Sequence, residues 1–526
     1  MGDRQQRVIA FLSKPESYAP VPDHVSRIDT HAAIVFLAGD RAFKIKRAIK
    51  LPYLDFRKLE ERYRVCQREL EINQPHAPTI YEDVVPIVAQ ADDKLQIGGE
   101  GSVVEWVLRM RRFDQEDILD AMATQGALDT GMIRELADTL VEFHAHAPVA
   151  RWHNGVSGLQ KVITMTSAAF GRFGPTLEKR EVRKYRESAE STFKEQHDYL
   201  KARAAEGYVR RCHGDLHLRN IVLLDGKPTL FDAIEFDENI GTIDILYDLA
   251  FLLMDLWHRG MEQHANALLN RYIYSSGEAF SPKALRLMPL FLSLRAAVRS
   301  MVALDTLSFT DASAHAEKVN EARTYFDLAA SCLKPNNPSL IAIGGLSGTG
   351  KSTLAAAIAP DIGAVPGAHV VRSDIERKLL FGVAPETRLN KEAYTHEASE
   401  RVYEQVCQKA AQGLEAGHSI VADAVFARPE ERAAIAKVGV DHDVPFVGIW
   451  LEADEDVLVS RVTQRIGDAS DADASVVRAQ LRSGPGPIDW QKIDASGSPD
   501  AIAARVRNCL AAQEVLPTCV SDRSNR

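Results

Sequence analysis

Gly345-Leu346-Ser347-Gly348-Thr349-Gly350-Lys351-Ser352 matches G-x-x-x-x-G-K-[ST] in full, with an apolar strand pattern before it (Leu340 to Ile343) and an Ala-rich helix pattern after it (Thr353 to Ala359). Glycines let successive backbone N–H groups turn inward around a phosphate, and the following helix N-terminus adds its dipole. Lys351 then reaches the β- and γ-phosphates and the Ser352 hydroxyl holds Mg²⁺. Gly345, Ser347, Gly348, Thr349, Gly350 and Thr353 complete the cradle, so the motif calls for ATP and Mg²⁺.

Groups able to act on an acceptor follow in order. Asp374 closes a second strand pattern, HVVRSD, at the strand end where open α/β sheets bind ligands. There it could take a hydroxyl proton or serve only as a helix N-cap. Arg377, in the first turn of the next helix, could orient an anionic acceptor. Asp423 ends a third strand pattern, SIVAD, suited to holding Mg²⁺ directly or through water, or to a plain strand-end cap. Arg461 and Arg465 lie four apart on an expected helix, Asp456 to Arg465, hence on one face. That face is either a lid over transferring phosphate or simply solvated. Taken together, this stretch resembles the AAA-type P-loop kinases related to polynucleotide 5′-kinases, gluconate kinases and zeta-toxin-like kinases. The resemblance covers about Ser339 to Ala512 through G-x-x-x-x-G-K-S, V-x-R-S-D-x-x-R-K, D-A-x-F, R-x-x-x-R and D-A-S-D-A. It implies phosphoryl transfer from ATP. The acidic run Asp468 to Asp473 lacks the glycine and terminal glutamate of a calcium loop and reads as a lid loop capping a helix from Ala474.

A second constellation stands upstream. His213-Gly214-Asp215 is followed five residues after the aspartate by Asn220, then by IVLL, an Asp225-Gly226 turn and TLF ending at Asp232. A two-residue hairpin returns Asp232 beside Asn220. With D-x-x-x-D-L-A at Asp244 to Ala250, this order resembles the aminoglycoside phosphotransferase and choline-kinase-like family over roughly Val21 to Leu333. The resemblance implies a bilobal protein-kinase-like fold, with Asp215 as catalytic base or hydroxyl-orienting residue and Asn220 and Asp232 as metal ligands. Asp244 and Asp248 become braces of the loop. It also implies a small-lobe lysine held by a helix glutamate. Lys44 and Lys46 share one strand face, and the A-x-K-I-K register slightly favours Lys46. Glu69, on an expected helix Leu59 to Ile72, is the expected partner, with Glu60 and Glu71 nearby. Glu105 to Phe113 would form the strand and hinge reaching adenine. The glycine-rich G-x-G-x-x-G loop is missing, and DAIEFDE replaces the more familiar D-W-E.

The elements that must position these residues divide at KPNNPSL, Lys334 to Leu340, where two prolines bar helix continuation. The expected fold class is therefore mixed, α/β and α+β. A bilobal kinase-like domain occupies 1–333, with a small β-rich lobe at about 21–112 and a helical lobe at about 113–333. A linker at 334–339 leads to a P-loop NTPase parallel-sheet sandwich at 340–515 and a tail at 516–526. The 526 residues, 45% hydrophobic and 26% charged, exclude fibrous, coiled-coil and wholly disordered classes. A net charge of −10 argues against a polyanion-coating surface. Six cysteines without C-x-x-C or zinc spacing, no apolar leader and no apolar run long enough to span a bilayer point to a cytosolic protein without a membrane partner. The expected activity is γ-phosphate transfer from Mg²⁺·ATP, in both domains, to a hydroxyl of a small molecule or, less readily, a nucleic-acid end. The rival readings keep one domain as a regulatory ATP-binding module, or make the whole a nucleotide-gated interaction protein.

Overall fold

The computed structural model describes residues 3–30, 32–51, 54–151, 155–173, 176–307, 312–464 and 469–516. They form two compact units, Met1–Gly158 with Tyr199–Leu252, and Leu159–Asp198 with Leu253–Arg526.

The first unit carries a six-stranded antiparallel sheet in the order Val25–Asp29, Ala33–Ala38, Arg41–Lys46, Ser102–Arg111, Tyr81–Ala89, Leu95–Ile97. Strand alternation sends Phe43 and Ile45 into a core with Ile34, Phe36 and Val107, which leaves Lys44 and Lys46 on the opposite face. The helix Asp3–Leu12, ahead of the expected small lobe, adds Val8, Ile9 and Leu12 to that core. Its Gln5 amide donates to the Lys46 carbonyl and to Glu105 Oε2, both at 2.9 Å, and accepts from Ala48 N at 2.7 Å, pinning the end of the lysine strand. The hairpin Ile221–Leu224 to Lys227–Leu230 turns through Asp225 (φ 50°) and Gly226 (φ 77°), the two positive φ values a tight two-residue turn requires.

The second unit holds a parallel five-stranded sheet in the order His369–Arg372, Ile420–Asp423, Leu340–Gly345, Phe446–Glu452, Gln491–Asp494. Ile341 and Ile343 pack to one face with the helices Lys351–Ile358 and Pro499–Ala512. Leu340 and Ala342 pack to the other with His396–Glu415. A parallel sheet buried on both faces is the expected sandwich. Residues 333–339 separate the helix Ala312–Cys332 from Leu340 without helix or strand, yet the helices before them group with the sheet. The physical reason is an edge. From the helix Glu262–Ser275, Asn270 Oδ1 accepts from Val370 N at 2.7 Å, and Asn266 Nδ2 donates to the Pro366 and Ala368 carbonyls at 3.0 Å each. This satisfies backbone groups that an edge strand would leave open. Phe170, Tyr185 and Phe326 tie Val156–Arg172 and Lys179–Ala205 to Ala312–Cys332, and Arg323 forks onto Glu181 with two bonds of 2.7 Å. Contrary to the sequence expectation, one described segment, Pro282–Thr306, is long and apolar enough to cross a membrane. Most of it is buried inside this unit, and that burial accounts for its apolarity.

Two buried histidines sit under the asparagine-capped edge. His369 Nδ1 lies 2.9 Å from Asn270 Oδ1, and His418 Nε2 lies 2.9 Å from the Gly367 carbonyl. Burial pushes their pKa values down to about 3 and about 4. Both are therefore neutral in the folded chain and charge at about 6.5 when unfolded. Their contribution to stability is complete above pH 6.5 and declines as pH falls towards those folded values, by roughly 1.4 kcal/mol per pH unit per histidine. Urea denaturation between pH 7.5 and pH 5 should show this slope, halved by His369→Gln. A midpoint independent of pH in that window would contradict the assignment.

Candidate functional site

In the first unit the helix Leu59–Asn73 lies against the lysine strand and places Glu69, fully buried, between the two ammonium groups. Lys44 Nζ donates to Glu69 Oε1 at 2.7 Å and to Asp232 Oδ1. Lys46 Nζ donates to Glu69 Oε2 and Glu235 Oε1, each at 2.5 Å. Glu71 instead pairs with Arg68 on the surface, and Glu60 meets neither lysine. Beyond Glu69, which both lysines share, Lys44 faces Asp232 while Lys46, the slightly favoured of the two, faces Glu235. Burial alone would lower the Lys44 pKa, but Asp232, Glu69 and Glu235 outweigh it and hold it well above the usual lysine value. Burial raises Asp232, and Lys44 and Lys46 overcome this to bring it below the usual carboxylate range. For Glu235 burial prevails over Lys46, and its pKa is raised.

The loop bearing Asp215 is hung from a helix N-terminus. Asp248, in the first turn of Ile245–His258, accepts from His213 N at 3.0 Å and Gly214 N at 2.9 Å. Asp244 forks onto Arg203 at 2.7 and 2.8 Å. Asn220 Nδ2 reaches back to the Asp215 carbonyl (2.9 Å) and to Asp215 Oδ2 (3.1 Å). The hairpin then delivers Asp232, in a left-handed backbone conformation (φ 62°), with its N–H on Tyr81 Oη at 2.9 Å. Asp215, Asn220, Asp232, Lys44 and Glu69 thus converge. His144, Cys212 and Asp248 bring donor atoms within 4.8 Å of one another, but both Asp248 oxygens already hold the loop's N–H groups.

In the second unit the P-loop links Leu340–Gly345 to Lys351–Ile358 through Gly348 (φ 89°) and Gly350 (φ 88°), conformations that cost other residues strain. Thr349 Oγ1 and Lys351 Nζ both bond the Leu346 carbonyl, at 2.8 and 3.1 Å, and Ser347 N bonds Gln480 Oε1 at 2.9 Å. Thr353 is exposed one residue beyond Ser352. Ser352 Oγ donates to Asp423 Oδ2 at 2.6 Å and accepts from Arg372 Nη2 at 3.0 Å. Asp374 is the second residue of Ser373–Leu380 and not its N-cap, which is Arg372. Burial raises its carboxyl pKa, with Arg372 and Lys351 opposing and Asp423 adding to the rise. Arg377, expected to orient an anionic acceptor, lies on the helix Ser373–Leu380. It is buried, donates to the Ala393 carbonyl at 2.6 Å and lies 4.8 Å over the Tyr394 ring, so it braces that segment. The helix expected over Asp456 to Arg465 runs Glu455–Gln464; Arg461 Nη2 is 3.4 Å from the Gly497 carbonyl, and Arg465 lies outside the described residues.

The model of the phosphotransferase enzyme family matches residues 83–285, and that of the AAA domain matches 340–487. The chain joins a phosphotransferase-family domain to an AAA domain. Together these matches indicate a phosphotransferase and support ATP-dependent phosphoryl transfer. Proteins of Mycobacterium tuberculosis and Mycobacterium bovis, both described as uncharacterized, are 29% identical to it over 494 residues, 89% of this chain and 92% of theirs. Among solved structures, a gluconokinase from Sinorhizobium meliloti is 20% identical, covering 34% of this chain and 97% of its own, with a TM-score of 0.24. A choline kinase from Cryptosporidium parvum is 11% identical, covering 63% and 95%, with a TM-score of 0.40.

Sequence reasoning missed two residues of the phosphotransferase domain. Glu235 is the buried partner of Lys46, and His217 places Nε2 3.4 Å from Asp215 Oδ2. The H-G-D-L-H step, two residues past Asp215, was the available signal for His217. Two cavities, of about 620 and 430 Å³, lie away from this chemistry: neither is lined by Lys44, Asp215, Asp232, Lys351 or Asp374.

Proposed function

We propose that both domains bind Mg²⁺·ATP and transfer the γ-phosphate to an alcohol hydroxyl, of a small molecule or, less readily given the net charge of −10, of a nucleic-acid end. One observation carries this reading. Each domain keeps a carboxylate that nucleotide binding does not require, Asp215 on its Asn220 bond and Asp374 beside Lys351 and Asp423. A binding module needs no such base.

In the phosphotransferase domain Lys44, steadied by Glu69, holds phosphate, and Asp215 orients the acceptor hydroxyl and takes its proton. In the AAA domain Lys351 and the P-loop amides hold phosphate, and Asp374, made more basic by burial, receives the proton. The oxygen donors fit a hard divalent ion: Asn220 and Asp232 would hold Mg²⁺ in one domain, Ser352 and Asp423 in the other. When bound, it supplies charge neutralisation at the β- and γ-phosphates. Arg461, by its place on the helix Glu455–Gln464, would close over the transferring group. The free thiols Cys66, Cys212, Cys332, Cys407 and Cys509 accord with a cytosolic setting.

The test is transfer from γ-labelled ATP to a panel of aminoglycosides, sugars, choline-like amines and 5′-hydroxyl oligonucleotides, using wild type, Asp215→Ala and Lys351→Ala. Loss in one variant alone assigns that acceptor to one domain. Transfer that survives both substitutions together would remove the reading.

A further inference from the structure

Asp232 stands in a left-handed backbone conformation, φ 62°, without the freedom of a glycine. A residue with a Cβ keeps that conformation only where its surroundings over-determine it, and such positions gather at functional sites. Here each N–H of the segment 231–234 has a fixed acceptor. Phe231 N donates to the Asn220 carbonyl and Ile234 N to the His213 carbonyl, both at 3.0 Å, which ties the two ends of the segment to the loop bearing Asp215. The two N–H groups between them go to side chains instead: Asp232 N to Tyr81 Oη and Ala233 N to Asn73 Oδ1, both at 2.9 Å. Tyr81 opens the strand Tyr81–Ala89 and is almost wholly buried. Burial and the carboxylates of Glu69 and Asp232 push its pKa well above the ordinary tyrosine value, so it stays a neutral hydroxyl. Asn73, also buried, ends the helix Leu59–Asn73, and its Nδ2 donates to the Glu69 carbonyl at 2.9 Å, which fixes Oδ1 toward Ala233. Glu69 and Asn73 are four apart on one helix face. A single turn therefore carries both the carboxylate that steadies Lys44 and the amide that holds the residue after Asp232.

We infer that Tyr81 and Asn73 are positioning residues for phosphoryl transfer, a two-point clamp that keeps Asp232 left-handed and so sets its carboxylate opposite Lys44. The inference rests on the reading of the phosphotransferase domain as active, with Asp232 a holder of Mg²⁺. Neither clamp residue has to touch nucleotide; both act through Asp232. Loss of either acceptor leaves a backbone donor unpaired and frees the strained residue to relax toward an ordinary conformation. The carboxylate would then turn away from Lys44, and a divalent ion would lose a preset oxygen ligand.

The experiment compares Tyr81→Phe, which deletes one oxygen, and Asn73→Leu, which keeps the bulk of the side chain, with wild type and Asp215→Asn, all in the full chain. For each clamp variant the kcat for transfer of γ-label to the hydroxyl panel should fall about 10–100-fold, the range for groups that orient a metal ligand. The Mg²⁺ concentration giving half the maximal rate should rise. Hydrogen exchange of the chain without metal or nucleotide, followed by mass spectrometry, should quicken across 231–234 as a unit, including Phe231 and Ile234, whose own acceptors are untouched. An unchanged kcat in both variants while Asp215→Asn loses transfer, or faster exchange confined to the one amide deprived of its acceptor, overturns the inference and leaves the phosphotransferase reading standing. A lower melting temperature with kcat intact assigns the two side chains to stability alone and overturns it as well. If Asp215→Asn transfers as fast as wild type, the reading of the domain falls and the inference falls with it.

Discussion

Asp215→Asn is expected to slow phosphoryl transfer by the phosphotransferase domain about 10²–10⁴-fold, the usual contribution of a positioned proton acceptor. The substitution keeps the shape of the side chain and one oxygen. The bond to Asn220 Nδ2 and the approach of His217 Nε2 are both made by Asp215 Oδ2, so the loop retains its form. The hydrogen bonds that join Lys44 to Glu69 and Asp232 are made without Asp215. The loss should therefore fall on kcat, with KM for ATP and the melting temperature close to wild type. Steady-state kinetics on the first acceptor identified checks this. An unchanged kcat would show that Asp215 is no part of the chemistry.

Glu69→Met should destabilise the first unit by about 3–5 kcal/mol, the range for removing one member of a buried ion cluster. Glu69 is fully buried and answers two ammonium groups at once, at 2.7 and 2.5 Å. Without it, Lys44 keeps only Asp232 and Lys46 keeps only Glu235, and burial then bears on each lysine with less opposition. The two lysines should separate in their own replacements. Lys44→Met removes the ammonium facing Asp232 and should cut transfer. Lys46→Met leaves Glu235 buried without its cation and should cost chiefly stability. Urea denaturation read alongside activity distinguishes the two. Equal effects of Lys44→Met and Lys46→Met on both readouts would overturn the division of labour.

What could be read from the residues alone was local. The Asp225-Gly226 turn announces its hairpin, since both positions need positive φ, and that hairpin carries Asp232 back to Asn220. The P-loop is likewise contiguous. The choice between Lys44 and Lys46 was out of reach because period-two alternation treats them alike. Their distinguishing partners, Asp232 and Glu235, lie 188 and 189 residues further along the chain. The surroundings of Arg377 were out of reach for a related reason. Helical spacing gives the face a side chain takes, but not that Ala393 and Tyr394 are already packed against it. Asn266 and Asn270 look like ordinary polar helix residues until the edge strand they cap is in view.

The discontinuity of the units bears on how the protein is made. The first unit closes with Leu252, so its chain is complete when less than half of the protein has been synthesised. The segment Leu159–Asp198 is translated before that point but belongs to the second unit, and its Phe170, Tyr185 and Glu181 find Phe326 and Arg323 only much later. The asparagine helix likewise emerges well ahead of the strand whose edge it covers. On the ribosome, apolar helical surface from the middle of the sequence must therefore wait uncovered while the sheet of the AAA domain is still being translated, an interval in which a nascent chain is most open to misassembly and to chaperone capture.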